Sequence, residues 1–470
     1  MTLNPSKKEY FLAKFSDLDQ HKQLLLLALP MIFSNITVPL LGLVDTAVIG
    51  HLPHAYFLGG STIGAMVITS ITWLCGFLRM STTGLSAQAF GLNNINKNLQ
   101  VLFRGLIIAF AVGLLFVFLQ SPFINLALEL AGGSEQVQFY ARQYSEIRVW
   151  GLPASLGNLV ILGWLIGNHQ TKSVMWLLII TNIINVVLDI VFVFGFNWQV
   201  QGVALATLIA EYSAMLLGLS IVYTRYKSAL NGLLSEGSIF LSSLIERTSL
   251  LSYFKLNRDI LIRTLCLEIC FIFITVQGAR LGDDVVAANA ILMNFLLLIS
   301  FGLDGVANAT EAMVGKAQGE RDNSKLRNTV HIALLWTAIF AMIYSLMFAL
   351  AGEYLLSLIS DIPSVIHFAK EYLIWMVLLP VVACWCYLFD GVYIGLMQAK
   401  AMRNSMIIAT FTCFFPLWWI LNNILSVADS TAANGNHALW GAFLGFMLAR
   451  GITLAWHYKT KILVLNAISN

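Results

Sequence analysis

The chain has 470 residues, of which 58% are apolar and only 11% charged, against about 25% charged in an ordinary soluble domain. A water-soluble fold of this length cannot hide so much apolar side chain, whereas a lipid bilayer can act as its solvent. The formal net charge of +3 gives no footing for a nucleic-acid partner.

Residues 1–23 are polar, carry Lys7, Lys8, Lys14 and Lys22, and show no small-residue cleavage site, so they read as a cytoplasmic tail rather than a signal peptide. A spanning helix needs about 20 mostly apolar residues. Twelve such stretches follow: 24–50, 58–88, 98–120, 135–167, 172–195, 200–225, 256–281, 285–315, 327–350, 364–397, 402–425 and 438–459. Pro30, Pro39, Pro153, Pro380 and Pro416 fall inside them, where bends are expected. The longest polar interval, 226–255, reads as a cytoplasmic linker between a first six-helix lobe (24–225) and a second (256–460), with 461–470 as a further cytoplasmic tail. Cys75, Cys266, Cys270, Cys384, Cys386 and Cys413 lie in apolar runs without metal-ligand spacing and read as small packing residues.

Loop charges fix the orientation. With the N-terminus inside, the inner segments collect the basic residues from Lys7 through Lys97, Arg104, Lys172, Arg225, Arg247, Lys316, Lys325 and Lys400 to Lys461, while the outer segments hold Arg280 alone. The outer side instead carries Glu129, Glu135, Asp283, Asp284, Glu353, Asp361 and Asp429. This asymmetry fits the positive-inside rule and places both termini in the cytoplasm of a multi-pass plasma (inner) membrane protein.

The halves repeat. Shifting the chain by 228 positions superposes Ala89 and Gly91 on Ala317 and Gly319, Lys97 on Lys325, and Tyr144 on Tyr372. It also superposes Gly163, Gly167, Gln170 and Lys172 on Gly391, Gly395, Gln398 and Lys400. Six helices per half give both halves the same orientation, a parallel repeat. The fold class is therefore an all-α integral membrane protein of twelve transmembrane helices in two pseudo-symmetric six-helix bundles. A carrier with alternating access needs such a plan.

An ionisable side chain in a span costs about 2.5–3.5 kcal/mol on insertion scales and is a functional candidate by default. Asp45, Asp189 and Thr207 lie at similar depth, about five, six and seven residues from the outer ends of their spans. Asn182, Asn185 and Asp189 share one helix face. The two carboxylates, the amide and the hydroxyl can converge, and two neighbouring carboxylates in a low dielectric cannot both stay ionised cheaply. The same oxygens offer an alternative site for Na⁺, so the coupling ion is H⁺ or Na⁺, with no other cofactor. A second candidate site comprises Glu268, Asp304, Glu311 and Asp390, with Arg263 placed to neutralise Glu268. Arg79, Glu146, Arg148, Glu211 and Arg450 receive no role.

The run Asn185 to Asp189, followed by Phe194-Gly195-Phe196 and Gly202-Val203-Ala204-Leu205-Ala206-Thr207, resembles the fifth and sixth helices of the multidrug and toxic compound extrusion (MATE) family. Pro30 with Val44-Asp45-Thr46 resembles the family's first helix. Leu303-Asp304-Gly305, Glu311-Ala312, Phe389-Asp390-Gly391 and Met402-Arg403-Asn404-Ser405-Met406 are similar to the branch named after DNA-damage-inducible protein F. The resemblance implies a V-shaped carrier, monomeric and in contact with membrane lipids, that exports amphipathic, cationic small molecules by H⁺ or Na⁺ antiport. It implies that Asp45 is the coupling carboxylate, surrounded by Asn185, Asp189 and Thr207, and that Pro30 lets the first helix bend. A further MATE branch has a glutamate on helix seven and an aspartate on helix ten, comparable to Glu268 and Asp390. Cys386 departs from that branch, which has tyrosine at this place. A flippase for lipids or lipid-linked oligosaccharides is the alternative; few basic residues in the spans argue against it. The eight histidines are scattered, and neither a nucleophile–base set nor a metal cluster suggests an enzyme.

Overall fold

Each of the twelve expected spans is helical in the computed structural model, which describes residues 17–235, 244, 246–359, 362–428 and 432–462. The tails up to residue 16 and from 463 lie outside the described residues, as do Asp361, Asp429 and the side chains of Pro39 and Asp283. The helices are α1 (Leu18–Gly50), α2 (Ala55–Gly91), α3 (Ile95–Phe118), α4 (Glu135–Gly167), α5 (Thr171–Gly195) and α6 (Gln199–Ser235). They continue as α7 (Arg247–Leu281), α8 (Asp283–Glu320), α9 (Asn323–Ile359), α10 (Pro363–Gly395), α11 (Ala399–Leu425) and α12 (Asn434–Ile462). By length and composition ten of these can cross a membrane; α1 and α7, 33 and 35 residues long, complete the expected twelve. A short helix, Gln120–Ala131, joins α3 to α4.

Breaks in the helices follow local chemistry only in part. In α4 a 3₁₀ turn at Val149–Gly151 precedes Pro153, and in α11 a π turn at Ala409–Phe414 precedes Pro416. Helix α10 passes through Pro380 without interruption. Two breaks have no proline: α2 is divided at Cys75–Gly76, and α5 opens into a π turn, Ile190–Gly195, directly after Asp189. Single π turns inside helices are often found at functional sites.

The internal repeat is written into the backbone. Asn93 and Arg321, with φ of 52° and 57°, close α2 and α8; His169 and Met397, at 60° and 58°, follow α4 and α10. Both pairs are 228 residues apart. The same offset governs helix contacts. A Cβ on Gly163 would stand 2.4 Å from the Arg79 carbonyl oxygen, and one on Gly391 would stand 2.4 Å from that of Ala307. Gly167 against Thr83 and Gly395 against Glu311 repeat the relation at 2.6 and 2.7 Å. Small residues let backbones approach this closely where lipid gives helices no hydrophobic drive to associate.

The chain divides into two compact units, Phe33–Asn257 and Met1–Ile32 with Arg258–Asn470. In the first unit Val48, Ile49, Phe57, Tyr144, Val193, Val200 and Val203 form a core where α1, α2, α4, α5 and α6 meet. The interval 226–255, expected as a linker, is helical at both ends, where Leu230 and Tyr253 are buried, as is Leu244 between them. Ser81 donates to the Tyr253 hydroxyl at 3.2 Å, and Arg104 Nε donates to the Leu244 carbonyl at 3.2 Å. The second unit has a core rich in aromatics, including Tyr372, Phe414, Trp440, Phe443 and Phe446. There Asn289 and Asn436 exchange amide hydrogen bonds at 2.8 and 2.9 Å, and Trp440 donates to Asn289 at 2.9 Å. The start of α1 belongs to this unit: Trp336 Nε1 donates to His21 Nδ1 at 3.0 Å. Five cysteines are buried and Cys413 is half-buried, all as free thiols.

Candidate functional site

Helix α5 lays its polar face on α1. At one level Asn182 Nδ2 donates to Thr37 Oγ1 at 3.0 Å. Farther along, Asp45 meets Asn185 and Asp189. With its nitrogen turned to the carboxylates, the Asn185 amide donates to Asp45 Oδ1 at 3.2 Å and to Asp189 Oδ2 at 3.1 Å. Its oxygen then accepts from the Thr207 N–H at 3.2 Å and from Thr207 Oγ1 at 3.0 Å. This orientation gives both ends of the Asn185 amide partners of the right kind; the reverse one would aim the amide oxygen at two carboxylates. The four residues singled out in the sequence, Asp45, Asn185, Asp189 and Thr207, therefore form one cluster built by three helices. Asn185 and Asp189 are fully buried.

The cluster is short of donors. The two carboxyls lie within hydrogen-bonding reach of each other. Asp189 Oδ1 is buried without a donor among the described residues. A buried oxygen in this state costs free energy unless a proton is supplied. The π turn after Asp189 widens α5 where this happens. Beside the cluster a cavity of about 310 Å³ runs between α1 and α5, walled by Val44, Ile179, Ile183, Val186 and Val187 with Thr37 and Asn182. Pro30 is buried within the continuous helix α1, two residues before the boundary between the units at Ile32.

The second constellation is arranged differently from the expectation. Arg263 does not neutralise Glu268; it donates to Asp390, whose Oδ2 also accepts from Arg450 Nη2 at 2.7 Å. Helices α7, α10 and α12 thus converge on one carboxylate, and all three side chains are buried. Arg450 also stacks over Phe446, 5.4 Å from the ring centre. Two guanidiniums converge on the Asp390 carboxyl, the arrangement of a buried ion-pair triad. Asp304 lies within electrostatic reach of Cys386 and Tyr387. Glu268 is half-buried on α7, and Glu311 is buried on α8 against Gly395. Among the described residues no group of three or more His, Cys, Asp or Glu side chains could hold a metal ion.

Sequence reasoning passed over one pair. Arg148 of α4 and Glu211 of α6 form a bidentate ion pair, at 2.7 and 2.8 Å. Its signal was depth: the two stand about 13 and 12 residues from the starts of their parallel helices, hence at equal height at about 1.5 Å per residue.

Comparisons with known proteins agree with this architecture. The MatE family profile matches residues 30–191 and 260–420. The chain is 45% identical over 432 residues to DNA damage-inducible protein F of Escherichia coli (strain K12), covering 91% of this chain and 90% of that protein. It is 25% identical to a probable multidrug resistance protein NorM of Bacillus cereus, over 85% of this chain and 88% of the relative. Among solved structures, an outward-facing multidrug resistance MATE family transporter superposes with a TM-score of 0.80 at 19% identity, over 95% of this chain and 96% of that one. A MOP superfamily transporter from Pyrococcus furiosus also gives 0.80, at 18% identity, over 94% and 95%.

Proposed function

Because this chain belongs to the MatE family of membrane transporters, we propose that it exports amphipathic, cationic small molecules in exchange for protons taken up at Asp45. The observation that carries this reading is the single Asn185 amide donating to both Asp45 and Asp189. Two carboxylates held together away from water repel each other, and one proton removes the repulsion while supplying the missing donor. The same geometry favours H⁺ over Na⁺. A hard cation needs several oxygens around it, and here the Asn185 oxygen is turned away toward Thr207.

The cycle follows from charge. An empty acid pair carries two negative charges in a low-dielectric bundle and attracts either a proton or a cationic cargo. A few kcal/mol of differential binding is enough to bias a two-state carrier, and a membrane potential of 100 mV adds about 2.3 kcal/mol per charge moved. The apolar cavity between α1 and α5 suits the hydrophobic body of a cargo whose cationic end faces the acids. The two compact units, near the expected lobes 24–225 and 256–460 but with residues up to Ile32 grouped with the second, are the moving bodies, and buried Pro30 is the point where α1 can bend. The protein sits in the inner membrane and works as a monomer among lipids, with both termini in the cytoplasm, an orientation that the loop charges support.

The test is Asp45→Asn in cells lacking other efflux pumps, with the variant quantified in the membrane. Loss of resistance to ethidium-like dyes supports the reading. Wild-type resistance overturns it. Energised vesicles challenged separately with a pH jump and with a Na⁺ jump decide the ion.

A further inference from the structure

The acid pair does not account for Arg148 and Glu211, which carry opposite charges inside α4 and α6. Their fork-on-carboxylate geometry is the one arginine forms best. The Arg148 side chain is buried, and its Nε meets no acceptor among the described residues. The surroundings are shaped for the pair. A Cβ on Gly151 would stand 2.5 Å from Glu211 Oε2, and Asn158 Nδ2 donates to the Glu211 carbonyl at 2.9 Å.

Two routes join this pair to the acids. On α6, Glu211 follows Thr207 by one turn, and Thr207 holds the Asn185 oxygen. On α4, Tyr144 precedes Arg148 by one turn. Its hydroxyl lies against the guanidinium, and its ring packs with Val48 and Ile49 of α1, one turn beyond Asp45. The ionisable groups around this level are Asp45 from α1, Tyr144 and Arg148 from α4, Asp189 from α5, and Glu211 and Tyr212 from α6, the Tyr212 hydroxyl donating to the Trp150 carbonyl at 2.9 Å. Helix α2 contributes Tyr56, stacked on Tyr140 at 5.3 Å, and the loop before it contributes His54, 4.9 Å from Tyr56. Helix α3 approaches α4 through Gly113 at Pro153 and brings no ionisable side chain there.

We propose that Arg148 and Glu211 are positioning residues of the coupling site, a fixed ion pair whose balance sets how readily Asp45 and Asp189 take up their proton. This rests on the proton-coupled reading above. Neutralising Glu211 leaves the Arg148 charge uncompensated beside the acids, which opposes protonation. Neutralising Arg148 leaves a third carboxylate, which favours it.

The experiment reconstitutes the full-length protein in vesicles and follows dye export against pH for wild type, Asp45→Asn, Glu211→Gln, Arg148→Gln and the double variant Arg148→Gln with Glu211→Gln. The pH midpoint is expected to move down in Glu211→Gln and up in Arg148→Gln, each by about 0.5–1 unit, or roughly three- to tenfold in proton affinity. The double variant is expected to return close to wild type. If the single variants lower the rate without moving the midpoint, or move it the same way, the proposal is overturned. Should Arg148→Gln fail to fold, Glu211→Gln and the double variant decide alone: a downward shift that the second change reverses supports the proposal, and no shift overturns it. Export that survives in Asp45→Asn overturns the proton-coupled reading and this inference with it. Export lost in Asp45→Asn, with an unmoved midpoint in Glu211→Gln, overturns this inference only.

Discussion

Asp45 of α1 and Asp189 of α5 share one amide: Asn185 donates to the first at 3.2 Å and to the second at 3.1 Å. That relation couples the two carboxyls electrically, since whatever one acid loses in charge the other senses at once. In such a pair a titration step belongs to both groups.

Asp189→Asn tests the unit from its other side. The substitution removes one charge and keeps the shape, so a single proton no longer relieves repulsion at Asp45. Proton-driven dye export is expected to fall at least tenfold while the amount of protein in the membrane stays unchanged, measured as initial rates in energised vesicles. Rates equal to wild type would leave Asp45 acting alone.

Asn185→Leu keeps the volume of the amide and deletes both donors to the carboxyls and the acceptor for Thr207. Buried groups left without partners cost about 1–3 kcal/mol each. A lower melting temperature in detergent is expected together with lost coupling, and Asn185→Gln is expected to recover neither in full because its amide is displaced by a methylene.

Gly163→Ala and Gly391→Ala examine the repeat. Each places a Cβ 2.4 Å from a backbone carbonyl oxygen, that of Arg79 or of Ala307, and backbone there has no room to yield. Overpacking of this kind costs about 1–3 kcal/mol. Both variants are expected to melt below wild type by similar amounts, read by thermal unfolding of the purified protein. A neutral Gly163→Ala would show that α2 and α4 are farther apart than the structure places them.

Arg450→Gln separates structure from coupling. It removes one of two guanidiniums on a buried aspartate, and breaking a buried pair costs about 3–5 kcal/mol. Stability is expected to drop sharply, whereas the pH midpoint of export in the surviving protein stays at the wild-type value. A moved midpoint would make Asp390 part of the proton pathway.

The helical plan was legible because lipid imposes it. Every spanning segment must be long, apolar and satisfied within itself, so composition, loop charge and a 228-residue offset announce the elements without reference to packing. Asp45, Asn185, Asp189 and Thr207 were legible for a related reason, because depth and helix face are properties of a single helix and can be compared along the chain. Pairings between helices were not. Sequence spacing placed Arg263 beside Glu268 on α7, and packing turned it across to Asp390. Arg148 and Glu211 were visible as charges but not as a pair, and the division of α5 after Asp189 came without a proline to mark it. The sequence by itself determined what each helix can bury and at which height its charges lie. Only the tertiary structure decided which charges meet, because a charge in a low dielectric takes whichever partner the rotation of its helix brings within reach.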